Sequence, residues 1–185
     1  MGTKNIAVIV GSLRKESISR KIAENLIALA PSSLKPAIVE IGDLPLYNLD
    51  LETEAPPPAW QRFRDQVRAA QGLLFVTPEF NRSVPGALKN AIDVGSRPYG
   101  KSVWAGKPGA IVSGSIGNIG GFGANHALRQ SMVFLDVPLM QQPEVYLSGF
   151  DRLVQPDGSL VPTTQEFLRK FMHAFAAWVD KIAGS

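Results

Sequence analysis

Apolar positions along the chain fall into two alternating kinds of run. Lys4–Val10 (KNIAVIV), Gly72–Thr77 (GLLFVT) and Ala110–Ser113 are apolar at almost every position and rich in β-branched residues. Such runs predict strands buried on both faces, as in a parallel sheet. Ala37–Ile41 predicts a shorter strand, and Leu139–Tyr146 contains a fifth, interrupted by Pro143. Between these runs the apolar spacing changes to three and four. Ile18, Ile22, Leu26 and Leu29 mark one helix, which Pro31 stops. Trp60, Phe63, Val67 and Ala70 mark a second, with Arg62, Arg64, Asp65 and Arg68 placed off the stripe. Further helices are predicted over Pro85–Val94, Ala124–Leu135 and Thr164–Ile182, the last burying Leu168, Phe171, Phe175, Trp178 and Ile182.

Five strands alternating with five helices predict an α/β fold, a parallel sheet covered by helices on both faces with right-handed crossovers. Neither a repeat nor an interdomain linker interrupts the series, so residues 1–185 read as a single domain. Five strands suit the flavodoxin-like order 2-1-3-4-5, a three-layer sandwich that binds ligands beyond the carboxyl ends of its strands. The loops after strands one, three and four therefore carry the candidate chemistry.

Composition narrows that chemistry. There are no cysteines, which excludes disulfides, thiolate nucleophiles and iron–sulfur ligation. The two histidines, His126 and His173, supply metal sites and catalytic triads poorly, so no metal is expected. Redox chemistry on this chain would need an organic cofactor. No apolar run approaches the roughly 20 residues of a membrane span, and the N-terminus carries no signal-peptide h-region, so a cytoplasmic protein without membrane partners is expected. Net charge is +3 overall, but +3 within residues 1–25, −4 within 26–60, +5 within 61–107 and −1 beyond. Two short basic stretches beside candidate loops suit small anionic ligands better than a nucleic acid, which prefers a basic stripe with interleaved aromatics.

The first loop, Gly11-Ser12-Leu13-Arg14-Lys15-Glu16-Ser17-Ile18-Ser19-Arg20, joins a buried strand to a helix N-terminus. Free amides and the positive end of the helix dipole there suit a phosphate. Ser12, Ser17 and Ser19 add hydroxyl donors, and Arg14 adds a charged fork. A capping role for Ser17 with solvated cations is the plainer alternative. The pattern G-x-G-x-x-G is absent, so a monophosphate fits better than a pyrophosphate. In the third-strand loop, Thr77 to Gly86, Pro78 ends the strand, while Ser83 and Pro85 are good helix-start residues. Backbone amides and Asn81 could bond the edge of a flat heterocycle, and Phe80 offers an apolar edge; an ordinary strand–loop–helix connection is equally open.

GSLRKESISR, TPEFNRSVPGALKNAIDV and SGSIGNIGG…LRQ together resemble the signature stretches of the NAD(P)H-dependent FMN reductase family, closest to its soluble quinone and chromate reductases. The resemblance implies a flavodoxin-like fold and non-covalent FMN. It implies that Ser12, Leu13, Arg14, Ser17 and Ser19 surround the FMN phosphate, that Pro78, Glu79, Phe80 and Asn81 line the isoalloxazine, and that Ser115 and Gly117 approach the ring from the other side, with Gly120 and Gly121 beside them. The implied activity is hydride transfer from NADPH or NADH through FMN N5 to quinones, chromate-type anions, azo or nitro compounds or free flavin. No protein side chain would serve as acid or base, and ping-pong kinetics would follow. A homodimer or homotetramer is implied, with His126 and Glu144 near the subunit interface. The family often carries Tyr at Phe80, Asn at Ser19 and Arg at Gly123. A flavodoxin-type electron carrier with protein partners is the alternative, disfavoured by the net basic charge.

Two further signals compete. Gly95-Ser96-Arg97-Pro98-Tyr99-Gly100-Lys101-Ser102 satisfies G-x-x-x-x-G-K-S, but a helix precedes it and Val103–Pro108 cannot form the helix a P-loop requires. As a loop its cations could border the cleft, and Arg82 and Arg97 are candidates for the 2′-phosphate of NADPH. His173 reads as solvated, Trp60 and Trp178 as core-facing, and Trp104 as a possible interface residue.

Overall fold

The computed structural model describes residues 2–184. Its centre is a five-stranded sheet of β1 (Lys4–Val10), β2 (Leu34–Ile38), β3 (Gly72–Pro78), β4 (Gly109–Gly114) and β5 (Val145–Leu147). All neighbours run parallel, in the order β2-β1-β3-β4-β5. The helices are α1 (Ile18–Ala28), α2 (Pro58–Arg68), α3 (Gly86–Gly95), α4 (Phe122–Phe134) and α5 (Pro162–Ala183).

Each central strand divides its side chains between two cores. Ala7, Ile9, Leu73, Phe75 and Ile111 face a layer built on α2, α3 and α4. Ile6, Val8, Val10, Leu74, Val76 and Val112 face α1 and α5. That two-sided burial is why β1 and β3 read as continuous apolar runs. Trp104, expected as an interface candidate, is instead fully buried in the first core. Its ring lies against Phe63 and Phe75, and its Nε1–H donates to the Ile92 carbonyl at 3.0 Å. Trp178 is half-buried, with its Nε1–H donating to Pro138 O at 2.8 Å.

Two sequence expectations are corrected. Strand two is Leu34–Ile38 rather than Ala37–Ile41, pairing Lys4 with Leu34 through Val8 with Ile38. Its edge position lets Pro36 sit inside it and leaves alternate residues exposed, so no apolar run announces it. Val39 and Ile41 are buried beyond the ladder, where they pack into the first core. Arg64 is not on a solvated face but is 2% exposed. Its guanidinium pairs with Glu52 at 2.6 Å, its Nε–H donates to Val94 O at 2.9 Å, and it lies over the Trp60 ring. This contact fastens the acidic Gly42–Pro57 segment to the α2–α3 layer. The other element ends shift by a few residues, as helix and strand termini do.

The Walker-like string is no P-loop. Gly95 closes α3, residues 97–101 are exposed, and β4 follows at Gly109 with no intervening helix.

Candidate active site

The carboxyl ends of β1, β3 and β4 open into one cleft of about 180 Å³, lined by Ser12, Arg14, Ser17, Ile18, Ser19, Pro78, Glu79, Phe80, Gly114, Ser115, Ile116 and Phe150. The sequence-derived candidates therefore converge from three loops that are distant in the chain.

The first wall is the β1–α1 turn. The Ser17 hydroxyl caps α1 by accepting from the Arg20 N–H at 3.1 Å, so the plainer reading of Ser17 is realised. Its own O–H proton stays available for a ligand. Lys15 and Glu16 form a turn, and among the described residues no backbone acceptor takes the amides of Ser12, Leu13, Arg14, Ile18 and Ser19, which leaves a cluster of N–H donors at the positive end of α1. Arg14 is exposed and has no ion-pair partner among the described residues. Arg20 is committed elsewhere, to Glu40 at 2.6 Å and Glu24 at 3.5 Å. Unengaged amides plus one unpaired guanidinium are the donor set a phosphate monoester needs. Leu13 stands aside from the cleft, half exposed in a neighbouring hollow with Ile38–Gly42.

The second wall is the β3–α3 loop. Phe80 and Ser83 exchange backbone hydrogen bonds at 2.9 Å each, closing a two-residue turn. Asn81 and Arg82 at its corner have φ of 50° and 63°, the conformation of a type I′ turn. Ser83 is thus used in the turn and does not cap α3, whose first carbonyl comes from Pro85. Phe80 is 54% exposed and presents its ring at the cleft rim. Asn81 is exposed at the tip of the turn, outside the lining. Arg82 is 73% exposed, reaching back to Glu79 at 3.3 Å.

The third wall is the β4–α4 loop. The Ser115 N–H donates to Leu147 O, and its carbonyl accepts from the Phe150 N–H at 3.0 Å, pinning the loop to the chain after β5. A Cβ on Gly117 would meet only Ser115 Oγ, at an ordinary 3.8 Å. Gly120 has a different reason to be glycine: φ is 59°, and a Cβ would lie 2.5 Å from the Tyr146 backbone. Ser113, Asn125 and Arg129 form a buried hydrogen-bonded chain behind this wall. Ile18, Gly114, Ile116 and Phe150 are lining residues that sequence reasoning missed. Ile18 lies in a segment read as helix, Gly114 and Ile116 stand within the SGSIGNIGG stretch but were not singled out, and Phe150 comes from a chain segment with no motif.

Arg97 lies beyond the C-terminus of α3, at the end of that helix away from the cleft. A ten-residue helix spans about 15 Å, and one chain does not bring Arg97 to the other candidates. His126 and Glu144 are both exposed. The His126 Nε2 meets the Tyr146 hydroxyl at 3.0 Å, and Phe122 packs against the imidazole. Burial, and then a hydrogen bond to Glu144, push the Tyr146 hydroxyl up to about 12, so it remains a proton donor. His173 is exposed, as expected. Among the described residues no cluster of potential metal ligands occurs, and no helix is long and apolar enough to cross a membrane.

Comparison with known proteins identifies the family. The sequence model of the NADPH-dependent FMN reductase family matches residues 4–151. A quinone reductase of Pseudomonas putida is 65% identical over 175 residues, covering 95% of this chain and 94% of its own. A 2-hydroxy-1,4-benzoquinone reductase of a Burkholderia species is 47% identical over 175 residues, covering 94% and 95%. The structure of FerB, a flavoenzyme NAD(P)H:(acceptor) oxidoreductase from Paracoccus denitrificans, superposes with a TM-score of 0.90 at 40% identity, covering 97% of this chain and 99% of that one. The flavodoxin-like architecture, the phosphate-ready β1–α1 turn and these relatives lead to one assignment: the chain belongs to the NADPH-dependent FMN reductase family, oxidoreductases that work with FMN and a reduced nicotinamide.

Proposed function

We propose that this protein reduces quinones at the expense of NADPH or NADH, with donor and acceptor using the same open cleft in turn. Bound FMN would supply the two-electron redox chemistry. The chain's own residues bind and orient it. Ser12, Arg14, Ser17 and Ser19, with the free amides around them, hold the phosphate. Pro78, Glu79 and Phe80 border the ring on one side, with Asn81 at the turn tip; Ser115 and Gly117 border it on the other. Leu13 shields the phosphate loop from the side of Gly42. The residues lining the cleft include no histidine, cysteine or lysine, and the one carboxylate, Glu79, is engaged by the Ala124 N–H and the Arg82 guanidinium, so proton transfer from a protein side chain is not assigned a part.

The observation that carries this reading is the convergence of three walls on a slot that is apolar at Phe80, Ile116 and Phe150 and cationic at Arg14. A flat cofactor with an anionic tail fits such a slot, and its outer face stays open to a second flat molecule. One open face implies ping-pong kinetics, and chromate-type anions, azo and nitro compounds and free flavin are proposed as further acceptors. Double-reciprocal plots of NADPH oxidation at several benzoquinone concentrations test this. Parallel lines are expected, and intersecting lines would require donor and acceptor to bind together. An electron carrier of the flavodoxin type would bind flavin yet turn NADPH over negligibly.

We further propose a cytoplasmic homodimer or homotetramer, built on the exposed apolar residues Phe122, Val133 and Phe134 of α4, which are 49%, 81% and 85% exposed. His126 and Glu144 would lie at its edge. Sedimentation of Glu144→Ala at several concentrations checks their part; an unaltered oligomer argues against it.

A further inference from the structure

Glu79 enters the cleft wall with a carboxylate that is only 9% exposed. A buried carboxylate needs partners for both oxygens. Its Oε2 accepts from the backbone N–H of Ala124 at 3.1 Å, and its Oε1 meets the Arg82 guanidinium at 3.3 Å. Ala124 is the third residue of α4, a helix whose own N-cap, Gly121, offers no side-chain oxygen. Glu79 therefore caps α4 from another element, with its charge at the positive end of that helix. Gly123 makes the approach possible. A Cβ there would lie 2.7 Å from the Arg82 carbonyl and 3.0 Å from Glu79 Oε2.

The two groups so joined belong to opposite walls. Glu79 precedes the Phe80–Ser83 turn, which forms one wall. The N-terminus of α4 ends the Ser115–Gly121 loop, which forms the facing one. The turn needs holding, because two non-glycine residues in succession adopt positive φ, a conformation that persists only where its surroundings enforce it.

We infer that Glu79 is a positioning residue: its carboxylate ties the Phe80–Ser83 turn to the N-terminus of α4 and thereby sets the width of the slot that receives the flavin ring. This rests on the cleft being the flavin site, and it assigns the Glu79 side chain a part separate from phosphate recognition. Gly123 belongs to the same device, since a larger residue would wedge the turn away from α4.

Apoprotein titrations with FMN and with riboflavin, which has the ring but no phosphate, separate the two parts. Glu79→Ala should weaken both ligands by the same factor, about tenfold, the scale of losing one hydrogen bond to a charged group. Glu79→Asp, one methylene too short, should behave like Glu79→Ala. Glu79→Gln keeps an acceptor for the Ala124 N–H and should recover most of the affinity. Gly123→Ala, which leaves the carboxylate in place, should weaken both ligands, and its effect should not add to that of Glu79→Ala. Arg14→Ala is the control: it should weaken FMN and spare riboflavin. The visible circular dichroism of bound flavin should change in the Glu79 and Gly123 variants and not in Arg14→Ala. Folded Glu79→Ala that binds riboflavin as wild type does, or strictly additive losses with Gly123→Ala, would overturn the inference. An FMN affinity untouched by Arg14→Ala would instead count against the phosphate loop.

Discussion

Arg82 is placed where its backbone and its side chain pull in different directions, and replacing it with glycine separates the two. It occupies the second corner of a type I′ turn at φ 63°, a position that favours glycine. The left-handed conformation costs a non-glycine residue roughly 1–2 kcal/mol. Glycine gives back about 0.4–1 kcal/mol through its freer unfolded chain. The contact with Glu79, 3.3 Å from a side chain 73% exposed, is lost in both the glycine and the alanine variants, so its contribution cancels between them. Arg82→Ala loses that contact and keeps the strained backbone. Arg82→Gly loses the contact and the strain together. The glycine variant should therefore be the more stable of the two by about 0.5–1 kcal/mol, or roughly 1–4 °C in Tm for a chain of this size. If Arg82 also meets the 2′-phosphate of NADPH, both variants should narrow the NADPH-over-NADH ratio of kcat/KM equally, by about two- to fivefold for a largely solvated contact. Added salt should raise the NADPH KM more than the NADH KM in the wild type only. Matched melting temperatures for the two variants would refute the strain argument. Equal salt responses for the two nucleotides would refute the phosphate contact.

Other consequences are simpler to state. Glu52→Ala strands the Arg64 guanidinium, which is 3% exposed; losing one partner of a buried pair costs about 3–5 kcal/mol, and urea unfolding should show the loss. Arg14→Ala should leave the apoprotein folded and weaken FMN by about ten- to a hundredfold, as loss of a charge-assisted bond to phosphate does. Lys101→Ala should leave FMN content unchanged, and neither protein should hydrolyse ATP in a magnesium-dependent phosphate-release assay. The Arg20 and Arg62 guanidinium groups hold the Glu40 and Asp43 carboxyls below their ordinary range. The stability these pairs contribute is present above the unfolded carboxylate values, near pH 4, and is lost as pH falls through the lowered native ones. Acid titration of Tm should show a slightly shallower loss in Arg62→Ala than in the wild type.

The sheet was legible because its central strands are buried on both faces: in β1 and β3 the side chains toward the helical layers are apolar apart from Thr77, and period alone separates them from the helices. Strand β2 was not legible, because an edge strand alternates and tolerates Pro36. Trp104 was obscure because it sits in a loop with no periodicity, yet Gly95 leaves the space its ring fills. In the cleft, Ser12, Arg14, Ser17, Ser19, Pro78, Glu79, Phe80 and Ser115 follow from their motifs. Arg97 does not join the cleft within one chain. It lies only a few residues past α3, but a helix carries those residues away from the site. The role of the Glu79 carboxylate was invisible for the same reason in reverse, since its partner is 45 positions away.

Charge shows most clearly what a sequence profile conceals. The acidic stretch 26–60 and the basic stretches on either side of it looked like separate surfaces. In the fold they are largely each other's partners: Glu40 takes Arg20, Asp43 takes Arg62 and Glu52 takes Arg64. Arg68 and Lys89 are occupied by Asp65 and Asp93, and Lys107 is turned inward to the carbonyls of Arg68, at the end of α2, and of Ala70 just beyond it. Pairing of that kind cancels the field that either stretch would project into solvent. Arg14 is left unpaired in the cleft itself, with Arg82 loosely held at the rim. If the cleft takes an anionic ligand, Arg14 and its exposed neighbour Lys15 are the cations of the β1–α1 loop left without an acidic partner among the described residues, while Arg20, Arg62 and Lys89 are paired. Introducing an acid beside Arg14, as in Leu13→Asp, should on this argument weaken FMN more than removing any one of Arg20, Arg62 or Lys89, although those three changes alter net charge by the same single unit. Titration of FMN into the four apoproteins decides it, and equal losses across the set would mean that net charge, not the unpaired Arg14 guanidinium in the cleft, governs binding.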